Sequence, residues 1–167
     1  VAPVAAGPEA SFSAAAFDWD QDGRDDLMAF AYPSRGFSEG DGLAGGAARE
    51  ALGMPPRHEP THLFRNLGGS FGDVTEVAGL GRFTAPVMGV NVEDFDGDGW
   101  VDLYAATGAP NFAALVPNRL LMGGPDGRFV DRTYVSGTGH LQKGHGVSFG
   151  DVDGDLDPEL YVVAGGA

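Results

Sequence analysis

Four acidic side chains recur at regular intervals in a short stretch near the middle of the chain. They stand at positions 1, 3, 5 and 9, with Gly99 at position 6, and they are Asp94, Asp96, Asp98 and Asp102. Alternating aspartates in a tight loop can turn their oxygens inward together, as a hard cation with about six to eight oxygen ligands requires. Without a cation, carboxylates held so close would repel one another. The spacing therefore predicts a calcium-binding loop.

The same pattern occurs in three places, which favours a repeated cation site over ordinary solvated Asp/Gly-rich turns. The first copy consists of Asp18, Asp20, Asp22 and Asp26. The third copy consists of Asp151, Asp153, Asp155 and Glu159. In this third copy Leu156 replaces the position-6 glycine and Pro158 precedes the last acid, so it departs furthest from the pattern.

The residues around these loops predict strands rather than helices. An EF-hand needs a bidentate glutamate at position 12 and a helix on each side, but position 12 here is Ala29, Ala105 or Val162. The flanking segments are short β-branched and aromatic runs such as Leu160–Val163, which are typical of strands. The loops are therefore expected to connect the strands of β-hairpins.

Composition excludes several classes of function. The 167 residues have a formal net charge of −14, and 12 of the 24 acidic residues are the predicted cation ligands of the three loops. This balance argues against nucleic acid binding, because no basic patch is available to meet phosphates. It also disfavours anionic membrane surfaces. No apolar run is long enough to span a membrane, so no membrane insertion is expected.

The cellular compartment is predicted from the cation. The chain contains no cysteine, which leaves the redox environment open. Millimolar calcium outside the cell would fill loops of modest affinity. An extracellular location, secreted or at the cell surface, is therefore favoured, with the periplasm as the alternative.

The elements around the loops recur in a fixed order, and both Asp94 to Asp151 and Leu63 to Leu120 span 57 residues. Four short antiparallel strands per repeat predict an all-β fold of about two and a half β-propeller blades in an incomplete ring. A β-sandwich is the alternative. The predicted layout is an extension at 1–11, a first blade at 12–80 with an inserted loop at 33–61, a second blade at 81–137 and a half blade at 138–167.

The strands can be placed from short runs of β-branched and aromatic residues and from the turn signals between them. The predicted strands are residues 12–17, Leu27–Tyr32, His62–Asn66, Phe71–Val77, Val87–Val92, Leu103–Thr107, Arg119–Met122, Phe129–Tyr134, Gly146–Phe149 and Leu160–Val163. One short helix is predicted within the insertion, at Ala47–Leu52.

The chain resembles the FG-GAP/VCBS repeats of integrin α-chain propellers and of many secreted bacterial proteins. It looks most similar to the branch associated with ASPIC/UnbV domains, which also contains the cartilage acidic proteins. The resemblance covers nearly all of residues 12–167. It rests on Asp94–Tyr104 (DFDGDGWVDLY), on Leu63–Thr75 (LFRNLGGSFGDVT) with the trailing EVAGL, and on Gly144–Asp155 (GHGVSFGDVDGD).

The resemblance implies a β-propeller with calcium in the loop between the first two strands of each blade. Carried over to this chain, the twelve acids named above would be side-chain ligands for up to three Ca²⁺ ions. Arg24, Trp100 and Asp157 at position 7 would offer backbone carbonyl oxygens. The family propeller usually has about seven blades. This chain would therefore belong to a larger chain, or join other copies in a homo-oligomer or filament.

Two classes of function follow. The favoured hypothesis is a non-catalytic binding or structural scaffold outside the cell, as in cell adhesion, with a protein, a carbohydrate or other copies of itself as partner. The alternative is an accessory domain or fragment of a larger secreted enzyme or adhesion protein. Paired acids can hydrolyse glycosides, but three equivalent loops suit a structural role better than one active centre. No enzymatic activity is expected, since nucleophile-elbow and phosphate-cradling motifs are also absent from the sequence.

Overall fold

The computed structural model describes residues 10–32, 49, 52–54, 61–108 and 116–165. Most of the predicted extension 1–11, most of the insertion 33–61 and most of the predicted helix Ala47–Leu52 lie outside the described residues. Within the described residues, no helix is long and apolar enough to cross a membrane.

The described chain forms three antiparallel sheets. The first sheet contains β1 (Ala10–Phe17), β2 (Asp26–Tyr32), β3 (His62–Asn66) and β4 (Phe71–Asp73), side by side in that order. The second contains β5 (Val87–Glu93), β6 (Asp102–Thr107), β7 (Arg119–Met122) and β8 (Val130–Asp131), in the same order. The third contains β9 (Gly144–Gly150) and β10 (Glu159–Ala164). The all-β, antiparallel expectation is confirmed.

The fourth strands of the first two sheets are shorter than predicted. In each of these sheets, an aspartate and the threonine two residues after it explain the difference. The prediction extended the fourth strand of the first sheet to Val77, but β4 stops at Asp73. Asp73 Oδ1 accepts the Thr75 N–H at 2.9 Å, and Thr75 Oγ1 accepts the Leu63 N–H at 3.0 Å. The threonine hydroxyl thus replaces a backbone carbonyl as the partner of the third strand, and the chain turns away.

The second sheet uses the same device. The predicted strand Phe129–Tyr134 is wrong at its end, because β8 covers only Val130–Asp131 and is followed by a short helix, α1 (Thr133–Ser136). Asp131 Oδ1 accepts the Thr133 N–H at 2.9 Å, and Thr133 Oγ1 accepts the Leu120 N–H at 2.9 Å. The recurring Asp-x-Thr sequence therefore ends the strand rather than continuing it.

The first strands of the three sheets lie next to one another, with β5 packed between β1 and β9. The core between the first two sheets is built from buried aromatic and aliphatic side chains such as Met28, Leu63, Phe83 and Leu103. The backbones of β5 and β9 approach so closely that a Cβ at Gly89 would lie 1.9 Å from the His145 carbonyl oxygen. This packing sets the three acidic loops at equivalent places in successive sheets.

Candidate metal centres

Each acidic loop joins the first two strands of its sheet. Loop 1 is residues 18–26 between β1 and β2, loop 2 is residues 94–102 between β5 and β6, and loop 3 is residues 151–159 between β9 and β10. In each, the position-1 carboxylate accepts hydrogen bonds from backbone N–H groups at positions 5 and 6. These bonds measure 3.0 and 2.8 Å at Asp18, 3.1 and 2.9 Å at Asp94, and 3.1 and 3.1 Å at Asp151. The loop therefore wraps around its first acid.

The position-9 carboxylate closes the loop from the other side. It accepts the N–H of position 2 at 2.9 Å in Asp26, 2.9 Å in Asp102 and 2.7 Å in Glu159. The second oxygen of Asp26 accepts the Asn66 N–H at 2.7 Å, and that of Asp102 accepts the Gly123 N–H at 2.8 Å. The acid thereby fastens its loop to the third strand of the sheet.

Positions 4 and 6 have left-handed backbone conformations in all three loops. At position 6 the φ angles are 84° for Gly23, 88° for Gly99 and 74° for Leu156. At position 4 they are 59° for Gln21, 72° for Gly97 and 82° for Gly154. Loop 3 therefore follows the same path although leucine replaces glycine, and Leu156 holds a conformation that costs a residue with a Cβ about 1–2 kcal/mol.

Because of this strain, we predict opposite changes in stability when glycine replaces Leu156 and when alanine replaces Gly99. Leu156→Gly should raise the free energy of unfolding by about 1 kcal/mol, because relief of the strain outweighs the added freedom of the unfolded chain. Gly99→Ala should lower it by about 1 kcal/mol through the backbone alone, since a Cβ there would meet no atom within 4 Å. Urea unfolding at a fixed calcium concentration measures both changes.

Gly150 is the matched control for these variants. It is equally open to an added Cβ but lies in β9 without a positive φ, so Gly150→Ala should not destabilise the protein. Equal effects of alanine at Gly99 and Gly150 would contradict the strain argument.

Three acids converge in each loop, with one carboxylate oxygen from each member within 4.8 Å of the others. Of the twelve predicted side-chain ligands, nine are brought together in this way, and Asp26, Asp98 and Asp155 are left outside. The converging trios are Asp18, Asp20 and Asp22; Asp94, Asp96 and Asp102; and Asp151, Asp153 and Glu159.

Position 7, predicted to offer a backbone carbonyl, lies beside position 5 in every loop. The backbone N–H of Arg24 donates to Asp22, that of Trp100 to Asp98 and that of Asp157 to Asp155, at 3.0, 2.8 and 2.9 Å respectively. In loop 1 this bond joins position 7 to a member of the trio, whereas Asp98 and Asp155 lie outside their trios.

The electrostatics of the trios fit a divalent cation. Asp102 is fully buried, and this burial, together with the charges of Asp96 and Asp98, raises its pKa to about 6 despite two backbone hydrogen bonds. Burial likewise raises the pKa of Asp26. In loop 1, Asp20 Oδ1 is buried without a hydrogen-bond partner. A hard cation would offset the repulsion and give this oxygen a ligand role, so the donor set fits such an ion.

In loops 1 and 2 the position-2 side chains, whose role the spacing of the acids did not indicate, contact the next sheet. Trp19 Nε1 donates to the Gly127 carbonyl oxygen of the second sheet at 3.1 Å. Phe95 stacks on Phe149 of the third sheet with ring centroids 3.8 Å apart. The repeated aromatic at position 2 was the available signal. In loop 3 this position is Val152, which is 81% exposed.

One part of the chain matches a known family of repeats. Residues 52–105 contain an FG-GAP-like repeat. The matched segment includes the β3–β4 hairpin, β5 and loop 2, and it ends within β6. It therefore spans the junction between the first and second sheets. No curated protein sequence matches the chain significantly.

Proposed function

We propose that this chain is a calcium-binding, β-propeller-type module that acts as a non-catalytic binding or structural scaffold outside the cell. The observation that carries the proposal is the same convergence of three carboxylates in each of three loops. The FG-GAP-like repeat at 52–105 supports a binding module of the propeller type. The finer likeness to the ASPIC/UnbV-associated branch rests on the hairpin motif Leu63–Thr75 and on the loops themselves.

The chemistry of the donors favours calcium over other metals. Every converging side chain is a carboxylate, and all-oxygen donor sets suit calcium, magnesium or manganese rather than zinc or copper. Magnesium demands near-ideal octahedral geometry, whereas calcium accepts flexible sites with more oxygen ligands. A loop that offers acids from positions 1, 3, 5 and 9 and a carbonyl from position 7 suits the larger ion. Up to three Ca²⁺ ions would bind.

The sheet arrangement supports the propeller interpretation. The first strands of successive sheets lie side by side, as the inner strands of propeller blades do. In a scaffold of this kind, partners bind to variable loops on a rigid frame. The proposed partner is a protein, a carbohydrate or another copy of the chain. The second candidate, an accessory part of a larger secreted enzyme or adhesion protein, shares the same calcium chemistry.

Isothermal calorimetry tests the calcium proposal directly. The wild-type protein should bind at least two Ca²⁺ ions. Asp96→Asn should remove one, because Asp96 belongs to the loop 2 trio. Asp25→Asn is the control, since Asp25 lies at exposed position 8 of loop 1 and outside every trio. Absence of calcium binding by the wild-type protein would refute the proposal.

A further inference from the structure

Loop 1 has two cationic side chains of its own. Arg65, on β3, places Nε 2.5 Å from Asp20 Oδ2 and Nη2 3.3 Å from Asp22 Oδ2. Arg24 forms an ion pair with the same Asp22 oxygen and donates from Nε to the Asn66 carbonyl oxygen at 3.0 Å. Asp22 therefore meets one guanidinium from the third strand and one from the loop itself, and Asp20 meets the one from the third strand.

Within the described residues, the other two loops have no such cations. By strand register, Arg65 corresponds to Met122 of the second sheet. By loop position, Arg24 corresponds to Trp100 in loop 2 and to Asp157 in loop 3. Among the described parts of the chain, no ion pair reaches an acid of loop 2 or loop 3.

The arginines coincide with a change in which carboxylates converge. In loop 1 the position-5 acid, Asp22, completes the trio, whereas in loops 2 and 3 the position-9 acid does so. Asp22 is contacted by both guanidinium groups through one oxygen. The guanidinium groups therefore hold Asp22 beside its neighbours, where repulsion between the carboxylates would otherwise separate them.

We propose that Arg65, assisted by Arg24, is a resident cation of loop 1, so that loop 1 keeps its shape without calcium and binds calcium more weakly than loop 2. The inference rests on the proposed calcium function and concerns the difference between the loops. A guanidinium about 5 Å from a dication weakens its binding roughly tenfold even at the dielectric constant of water. Loop 2 is then the more calcium-responsive of these two loops.

The two tryptophans of the chain lie in different loops, so each excites terbium most strongly in its own loop. Trp19 is at position 2 of loop 1, and Trp100 is at position 7 of loop 2. Terbium(III) occupies calcium-type oxygen sites and luminesces when a nearby indole is excited. The Trp100→Phe protein therefore reports on loop 1, and the Trp19→Phe protein reports on loop 2. Competition with calcium converts each signal into a calcium affinity.

Arg65→Met, which installs the residue found in the second sheet, should strengthen terbium and calcium binding at loop 1 roughly tenfold. The reciprocal Met122→Arg should weaken binding at loop 2 by a similar factor. Arg82→Met is the control for loss of a positive charge, since Arg82 is exposed and forms no ion pair with the loops in the described chain. It should leave both affinities unchanged.

The outcomes separate this inference from the calcium proposal. Unchanged loop 1 affinity in Arg65→Met, with normal binding at loop 2, would overturn the role of Arg65 and leave the calcium function intact. No terbium or calcium binding at either loop would overturn both. If Arg65→Met does not fold, as judged by circular dichroism, Met122→Arg decides, and an unchanged loop 2 affinity in that variant overturns the inference.

Discussion

In millimolar calcium, the melting temperature of this protein is expected to lie roughly 10–20 °C above its value in a chelator. A ligand that binds only the native state adds about 2.7 kcal/mol per site when its free concentration is 100 times Kd. Two filled loops would supply about 5 kcal/mol, and each kcal/mol shifts the midpoint by about 2–4 °C in a domain of this size. The reason is that the three carboxylates of each trio repel one another when no cation is bound.

Two aspartate variants make this result specific to the loops. Asp96→Ala removes one member of the loop 2 trio and should abolish roughly half of the calcium-induced shift. Asp25→Ala should retain the whole shift, because Asp25 contributes a backbone carbonyl oxygen to Asn66 and no carboxylate to a trio. Thermal scans in chelator, in calcium and in magnesium provide the measurement. Equal midpoints in chelator and in calcium would contradict the prediction.

The sequence was sufficient to predict the hairpins that carry the acidic loops. The repeated hairpins around glycine-rich turns placed β7 at Arg119–Met122 as the structure has it, and they placed β3 equally well. The outer strands could not be placed as accurately, because their ends depend on a side chain from one strand bonding the backbone of another. Thr75 and Thr133 read as β-formers in sequence, yet their hydroxyl groups end the pairing.

Loop spacing identified the acids of each cluster but did not determine which of them converge. Asp22 and Asp98 have the same position in the motif, yet Asp22 joins a trio and Asp98 does not. The difference coincides with Arg65, which lies 43 residues beyond Asp22 in sequence and reaches it only because β3 pairs with β2. Contacts of this kind between strands depend on the strand register. The spacing of acids within one loop carries no information about that register.

The outer edge of β10, which no described strand covers, is expected to make this 167-residue chain self-associate. In the first two sheets the second strand pairs with a third, β3 or β7, whereas no described strand pairs with the outer edge of β10. Its side chains Tyr161 and Val163 are 69% and 50% exposed. An unpaired edge with apolar side chains is a template for strands from another chain.

Within the described residues, loop 3 also lacks the contacts with a third strand and with a following sheet that loops 1 and 2 make. The Glu159 carboxylate bonds the Val152 N–H as its counterparts do, but it has no third-strand N–H of the kind that Asn66 and Gly123 supply elsewhere in the described chain. Val152 is exposed where Trp19 and Phe95 contact the following sheet. An open groove of about 530 Å³ runs beside these residues and includes Leu160 in its lining. The surface therefore offers apolar contact, backbone groups and a carboxylate acceptor to an incoming hairpin.

Sedimentation in calcium over a wide range of protein concentrations tests this expectation. The average mass should rise with concentration, and a head-to-tail contact that does not close would extend into a filament. Val163→Lys should reduce the association, because a charge on an edge strand opposes strand addition. Tyr134→Lys is the matched control, since Tyr134 is 78% exposed on α1 and away from the β10 edge, and it should leave the association unchanged. A stable monomer at every concentration would show that the edge of β10 does not recruit another copy.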